Sequence, residues 1–340
     1  MNLDEFFGSP QVELPRTWGG SSYFDASREL FDGYQSALRQ VTPQSSLAQR
    51  IAASETQDFV RDLCSKLLCA VTHSESGHED EAFVAVSQAL CQAKGCPSLI
   101  SVPVSAKEIG CYYRVQRVKP ECLSKGRLFH APWHMRHLVG SHRFGIAEYP
   151  CLYLGGCLEL CQKESDISDA DLETMGIARF ELQSKLTILD FGYRPNAMPR
   201  IIELGNGNLA AKVEDLIVEY VRCWPLIASC MVRRRAHAGA SPIEYRIPQL
   251  VLRWLSTTND CDGVRYFSTR VEPNLQQLKR SFNLVFPAKE PRDEDGYATK
   301  LRAAFAITDP CMWQRNGVKD VVSAHEQNEK QLGRLRADQF

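Results

Sequence analysis

The stretch from Tyr112 to Glu164 opens YYRVQR (112–117), runs through LFHAPWHMRHLVGSHRF (128–144) and closes on CLYLGGCLELCQKE (151–164). Residues 110–145 hold seven Lys or Arg (114, 117, 119, 125, 127, 136, 143) against one acid, Glu121, and four of the eight His (130, 134, 137, 142). Two apolar, strand-length runs, CYYRV and CLYLG, bracket this basic segment. A Gly155–Gly156 pair then turns the chain into a helix expected over Leu158 to Glu164. Dense positive charge beside an aromatic and a carboxylate points to a phosphate-bearing ligand, although a charge cluster is also what a solvated face looks like.

Outward from this stretch, the same texture recurs. ISVPV, LTILDF, GVRYF, FNLVF and AAFAI are short, rich in β-branched and aromatic residues, and punctuated by Gly, Pro and Asn, as strands are. Helices are expected between them. Ser168 with Asp171 three residues on resembles a capping box for a short helix. LAAKVEDLIVEYVRCW (209–224) is strongly amphipathic, and PQLVLRWL (248–255) carries Pro in a first helical turn, where its missing N–H costs little. DCDG delivers the chain into the strand at Val264. Upstream of Leu99 the period is helical instead. A short helix is expected near 26–40, and a helical hairpin or small bundle over 44–94, broken at 72–81 and ended by GCP at 95–97. Strands with a few interposed helices give an α+β class with a mixed sheet rather than a regular βαβ array. GNGN at 205–208 lacks the GxGxxG spacing of a dinucleotide-binding fold.

With 340 residues, 44% hydrophobic and 24% charged, the chain has an ordinary globular composition. The net charge of -1 divides unevenly: residues 1–100 carry seven basic and thirteen acidic side chains, the remainder thirty-three and twenty-eight. That mild excess falls short of a general nucleic-acid binder. The thirteen Cys form no CxxC pair, and MNLDEFFGSP lacks a signal-peptide layout, so free thiols in a reducing cytoplasm are expected. No apolar run reaches membrane-spanning length. The nearest, IVEYVRCWPLIASCMV (217–232), contains Glu219, Arg222 and Pro225, and is expected to be a buried helix broken at the proline.

Arg114 and Arg143 offer planar, always-charged forks suited to pyrophosphate, or they are a sheet-edge charge and a solvated loop residue. Tyr153 can stack on a heterocycle or fill a core. Glu159 and Glu164 can each stabilise cationic character at a sugar carbon, or lie on a helix surface. His130, His134 and His137 have a one-face helical spacing, but Pro132 interrupts it and no acid or Cys completes a ligand set, so no metal is expected. Cys151, Cys157 and Cys161 show no base that would activate them.

YYRVQR, LFHAPWHMR, RFG…EYPCLYLGGCLELCQKE and EYRIPQLVLRWLSTTNDCDGVRYFST (244–269), in this order, resemble a RES domain over residues 100–290. The family's Arg, Gly-turn Arg, strand Tyr, helix Glu and late Ser align with Arg114, Arg143, Tyr153, Glu164 and Ser268, with Arg117 a rival for Arg114. The resemblance implies an ADP-ribosyltransferase-like fold and an enzyme that consumes NAD by hydrolysis or phosphorolysis of the nicotinamide–ribose bond. Family members act as bacterial toxins held by an antitoxin. Glu164 would then stabilise the ribosyl cation, Arg114 and Arg143 would hold pyrophosphate, Tyr153 would stack, and Ser268 would hydrogen-bond nicotinamide or ribose. ADP-ribosyl transfer to a protein or nucleic acid, and a non-catalytic nucleotide-binding module, are the alternatives. The expected organisation is an N-terminal arm and helical region (1–98), a RES-like domain (99–312, with an insertion at about 170–240) and a charged tail (313–340). NAD is the expected substrate; the expected partners are an antitoxin or immunity protein and a second copy of the chain, with no membrane and no specific nucleic acid.

Overall fold

The computed structural model describes residues 1–20, 22–105, 110–205, 207–233, 242–271, 280–315, 317 and 320–339. It divides into two compact units. One gathers Met1–Val102, Ser141–Ile146 and Leu189–Thr258; the other gathers Pro103–Gly140, Ala147–Ile188 and Asn259–Phe340. These are not the contiguous segments expected from the sequence, because the chain passes between the units several times. The class is α+β, and among the described residues no helix is long and apolar enough to cross a membrane.

The first unit is helical. Helices Tyr23–Arg39, Ser46–Ala52, Ser54–Glu75 and Glu79–Ala93 pack with Ala210–Cys230 and Arg246–Thr257. Each presents an apolar face: Val60, Leu63, Leu67 and Val71 from one helix, and Ile217, Val221, Trp224 and Ile227 from another, are all buried. Pairing of these faces explains why Leu189–Thr258 groups with the N-terminal helices rather than standing as an insertion.

The expected break at Pro225 does not occur; the helix runs through it to Cys230. A proline at 225 cannot donate to the carbonyl four residues earlier, at Val221. That carbonyl accepts the Tyr34 hydroxyl instead, at 2.7 Å. The Tyr34 ring stacks on Trp224 with centroids 3.9 Å apart, and Trp224 Nε1 donates to the Val12 carbonyl at 2.9 Å. A substitute donor from another helix keeps this one continuous.

The second unit holds most of a sheet. The strands are β1 (Val102–Val104), β2 (Cys111–Arg117), β3 (Cys151–Gly155), β4 (Met175–Leu182), β5 (Leu186–Phe191), β6 (Gly263–Phe267), β7 (Phe282–Pro287), β8 (Phe305–Thr308), β9 (Cys311–Met312) and β10 (Ala337–Gln339); Val102 of β1 and Leu189–Phe191 of β5 are counted with the first unit. The order is β1-β5-β6-β7-β3-β2-β4-β8-β10, with β9 also against β4. The pairs from β6 through β7, β3, β2, β4 and β8 to β10 are antiparallel.

Two expectations are corrected here. The short helix expected from Ser168 is reduced to a three-residue 3-10 helix, Leu172–Thr174, and the chain then enters β4, which pairs with β2 along seven residues from Met175 to Glu181. MGIARFEL is buried on both faces only over Met175–Ala178; from Ala178 to Leu182 apolar residues alternate with the half-buried Arg179 and Glu181. The tail is not a free solvated segment. Helix Val321–Arg334 buries Ala324 and Leu332 in a core with Tyr113, Leu158, Met175, Ile177 and Trp313, and β10 extends the sheet beyond β8.

Candidate active site

Sheet and helix meet at the glycine pair that follows β3. A Cβ on Gly155 would stand 2.6 Å from Cys161 Sγ, and one on Gly156 would stand 2.4 Å from the Arg280 carbonyl oxygen. Only glycine lets the chain turn this tightly between β3 and the helix Leu158–Glu164. Cys157 Sγ caps that helix by accepting from Leu160 N at 3.4 Å, and its first amide, Leu158 N, donates to Glu329 Oε1 at 2.8 Å. The helix ends on Glu164, as its sequence predicts.

Glu164 is about three-quarters buried, with 25% of its side chain exposed. Asn283, opposite Gly155 in the β3–β7 register, donates from Nδ2 to Glu164 Oε1 at 3.0 Å. Arg270 Nε lies 3.8 Å from the other oxygen, Oε2. The rival carboxylate has a different environment: Glu159 Oε1 takes an ion pair from Lys163 at 2.6 Å, four residues along the helix. Glu159 is as enclosed as Glu164, with 23% of its side chain exposed, but its ion-pair partner stands on its own helix, whereas Asn283 and Arg270 reach Glu164 from other segments.

Arg114 lies on β2, adjacent to β3. Its Nη1 donates to the Tyr153 carbonyl at 3.3 Å and its Nη2 approaches Gln116 Oε1 at 3.5 Å. Both contacts are long for a guanidinium. Its Nε is buried without a hydrogen-bond partner among the described residues. Burial lowers its pKa to about 10; Tyr153, Cys161, Arg127 and Cys151 are the groups that act on it next, and none is a carboxylate. Arg117, three residues on, is exposed and faces Asp171 at 3.4 Å, so the two arginines differ plainly in setting. Burial drives the Tyr153 phenol well above its usual range and pushes the Cys151 thiol up to about 12, so both are neutral near pH 7.

Ser268 is fully buried just after β6. Its hydroxyl oxygen accepts from the amides of Arg270 and Val271, at 3.1 and 3.2 Å, and its own amide donates to Ser281 O at 3.1 Å. It shapes the turn that presents Arg270.

Arg143 belongs to the first unit. There its Nη1 donates to the carbonyls of Cys230 and Val232, each at 2.8 Å, and its guanidinium lies 4.9 Å over the Tyr245 ring. Those bonds tie down the carboxyl end of the Ala210–Cys230 helix. The His-rich segment is a 3-10 helix over Trp133–Leu138. His130 precedes it and is fully buried, with Nε2 accepting from Ala298 N at 3.1 Å and Nδ1 donating to Ala131 O at 2.8 Å. Burial lowers its pKa to about 4, so it is a neutral hinge between two loops.

Sequence reasoning missed Asn283, Arg270 and Asp166, the carboxylate that pairs with Arg270. An amide inside the apolar run FNLVFP is the signal that could have flagged Asn283. Nothing local marks Arg270 or Asp166, whose meeting depends on the turn at Ser268.

Comparison with characterised sequences finds one informative relative. Over 222 residues, 64% of this chain, it is 27% identical to a Bacillus subtilis (strain 168) protein named "Putative toxin YopC". The chain spans about half the length of that relative, 49%. No family model matches the chain, and no solved structure matches it at a significant level.

Proposed function

We propose that the chain is an NAD-consuming toxin that cleaves the bond between nicotinamide and ribose. The observation that carries this reading is Arg114: a buried guanidinium with long, sparse hydrogen bonds and no carboxylate among its strongest neighbours. Such a group is poised for an anion that offers a pair of oxygens to its fork, as each phosphate of a pyrophosphate does. Glu164 stands at the end of the helix that continues from β3, the strand that carries Tyr153. In the reaction the C1′–N bond breaks, nicotinamide leaves neutral with the bonding pair, and water or phosphate adds to C1′. The carboxylate of Glu164 stabilises the positive charge that builds on the ribose ring. Tyr153, neutral and aromatic, supplies a face for a heterocycle. The fold in this reading is ADP-ribosyltransferase-like, and the toxin assignment is supported by the name of the B. subtilis relative.

The test is nicotinamide release from NAD by the purified chain. Wild type should turn over, and Glu164→Gln should lose about 10²–10³ in rate, as removal of one transition-state charge does. Equal rates for the two proteins would defeat the assignment. If label from the ADP-ribose moiety appears on a macromolecule, the acceptor is that macromolecule rather than water or phosphate. Expression in a bacterial host should arrest growth, and Arg114→Ala or Glu164→Ala should relieve it.

A further inference from the structure

The helix that carries Glu164 is followed by its C-cap Ser165 and then by Asp166, whose φ is +53°. Ile167 N donates to Gln162 O at 3.2 Å, the five-residue return that closes a Schellman turn. Glycine is the usual residue at the left-handed position of that turn, because any Cβ there is strained. Here the position is taken by a carboxylate, and the carboxylate is used. Arg270 pairs with Asp166 through both terminal nitrogens, Nη1 to Oδ1 and Nη2 to Oδ2. Arg270 Nη1 also donates to the Lys163 carbonyl at 3.0 Å, closing the end of the same helix. Its Nε is thereby left facing Glu164 Oε2 at 3.8 Å, while Asn283 Nδ2 holds Oε1 at 3.0 Å. Ser268 supplies the turn from which Arg270 reaches across, through the two amides its hydroxyl accepts.

We propose that Asp166, Arg270 and Asn283 are positioning residues for Glu164. In this arrangement the left-handed aspartate gives up turn stability in order to aim Arg270, and Arg270 with Asn283 fixes the plane of the Glu164 carboxylate from its two sides. The ion pair fixes the guanidinium rotation, and a fixed guanidinium leaves Nε with one direction to point. The proposal rests on the reading of Glu164 as the reacting carboxylate, and it assigns no contact with substrate to the three residues themselves.

Asp166→Gly separates positioning from folding, since it relieves the backbone while cutting the aim of Arg270. The variants Asp166→Gly, Asp166→Asn, Arg270→Gln and Asn283→Leu are compared with wild type and Glu164→Gln by nicotinamide release and by thermal melting. Asp166→Gly is expected to melt no lower than wild type yet to lose about tenfold in kcat with KM for NAD little changed, as a slight misplacement of a reacting group does. Asp166→Asn, which keeps the turn's tolerance for a left-handed residue, should lose kcat alike. Asn283→Ser, which retains a donor, should recover part of what Asn283→Leu loses. Wild-type kcat in Asp166→Gly and Arg270→Gln, with Glu164→Gln inactive, overturns the positioning proposal and leaves the reaction standing. If wild type itself releases no nicotinamide, the reaction reading fails, and the positioning is judged on the carboxylate directly. The Glu164 Cδ resonance, assigned by its loss in Glu164→Gln, should move in Asp166→Gly; superimposable spectra overturn the proposal.

Discussion

Replacing Tyr34 by Phe removes one oxygen and leaves the carbonyl of Val221 without the donor that stands in for Pro225. Tyr34 is fully buried, and the 2.7 Å bond from its hydroxyl is a well-formed one. A Phe ring keeps the stack on Trp224, so the packing is nearly unchanged and the loss is confined to one polar pair. A buried carbonyl stripped of its partner costs about 1–3 kcal/mol, and we expect Tyr34→Phe to destabilise the helical unit by about 2 kcal/mol. Pro225→Ala restores an amide at 225, which can donate to Val221 O within the helix. In that background Tyr34→Phe should cost only about 0.5–1 kcal/mol, giving a coupling of about 1 kcal/mol between two residues that do not themselves bond. Equilibrium urea unfolding of the four proteins, followed by helical circular dichroism, measures the cycle. Costs that add within about 0.3 kcal/mol would show that the hydroxyl is not the proline's substitute.

Three further expectations follow from the second unit. Gly156→Ala forces a Cβ into the backbone of Arg280, 2.4 Å from its carbonyl oxygen and 2.9 Å from its carbonyl carbon, and should cost about 2–3 kcal/mol in denaturant unfolding. Arg114→Met removes a guanidinium that burial disfavours, so the variant should unfold no more easily than wild type while nicotinamide release collapses; Arg117→Ala, exposed, should leave unfolding within about 0.5 kcal/mol. His130 is neutral in the fold with a pKa lowered to about 4 from 6.5. The unfolded chain therefore binds the proton first, and the contribution of His130 is complete above pH 6.5 and lost as pH falls toward 4. The loss between pH 7 and pH 4.5 is about 2–3 kcal/mol, and His130→Gln should flatten that part of the pH–stability curve.

Period and punctuation made much of this architecture legible. CYYRV, CLYLG, LTILDF, GVRYF and FNLVF are strands, and Leu158–Glu164 is a helix with the bounds its sequence suggests. β4 was missed although ARFEL alternates, because the strand opens on MGIA, which does not alternate, and because Ser168 and Asp171 imitate a helix start while in fact bonding each other at 2.9 Å. The helix through Pro225 was illegible for a different reason: what rescues it is Tyr34, 187 positions before the Val221 carbonyl that the proline leaves open. At the candidate site, Glu164 could be preferred to Glu159 from the family resemblance, and the ion pair of Glu159 with Lys163 supplies the physical distinction. The residues around Glu164 come from the turn after β6 and from β7, and no local pattern ties those segments to a helix more than a hundred residues earlier.

The helical unit also has a temporal consequence. Its core needs the apolar face of Ala210–Cys230, yet the helices that face it end at Ala93. At a ribosomal rate of about 5–20 residues per second, those early helices emerge about 10 s before their partner is made. During that interval Val60, Leu63, Leu67 and Val71 lack their final cover. Synthesis thus imposes on the first ninety or so residues a wait that a chain with contiguous units would not have, and any truncation ending before Leu209 makes the wait permanent.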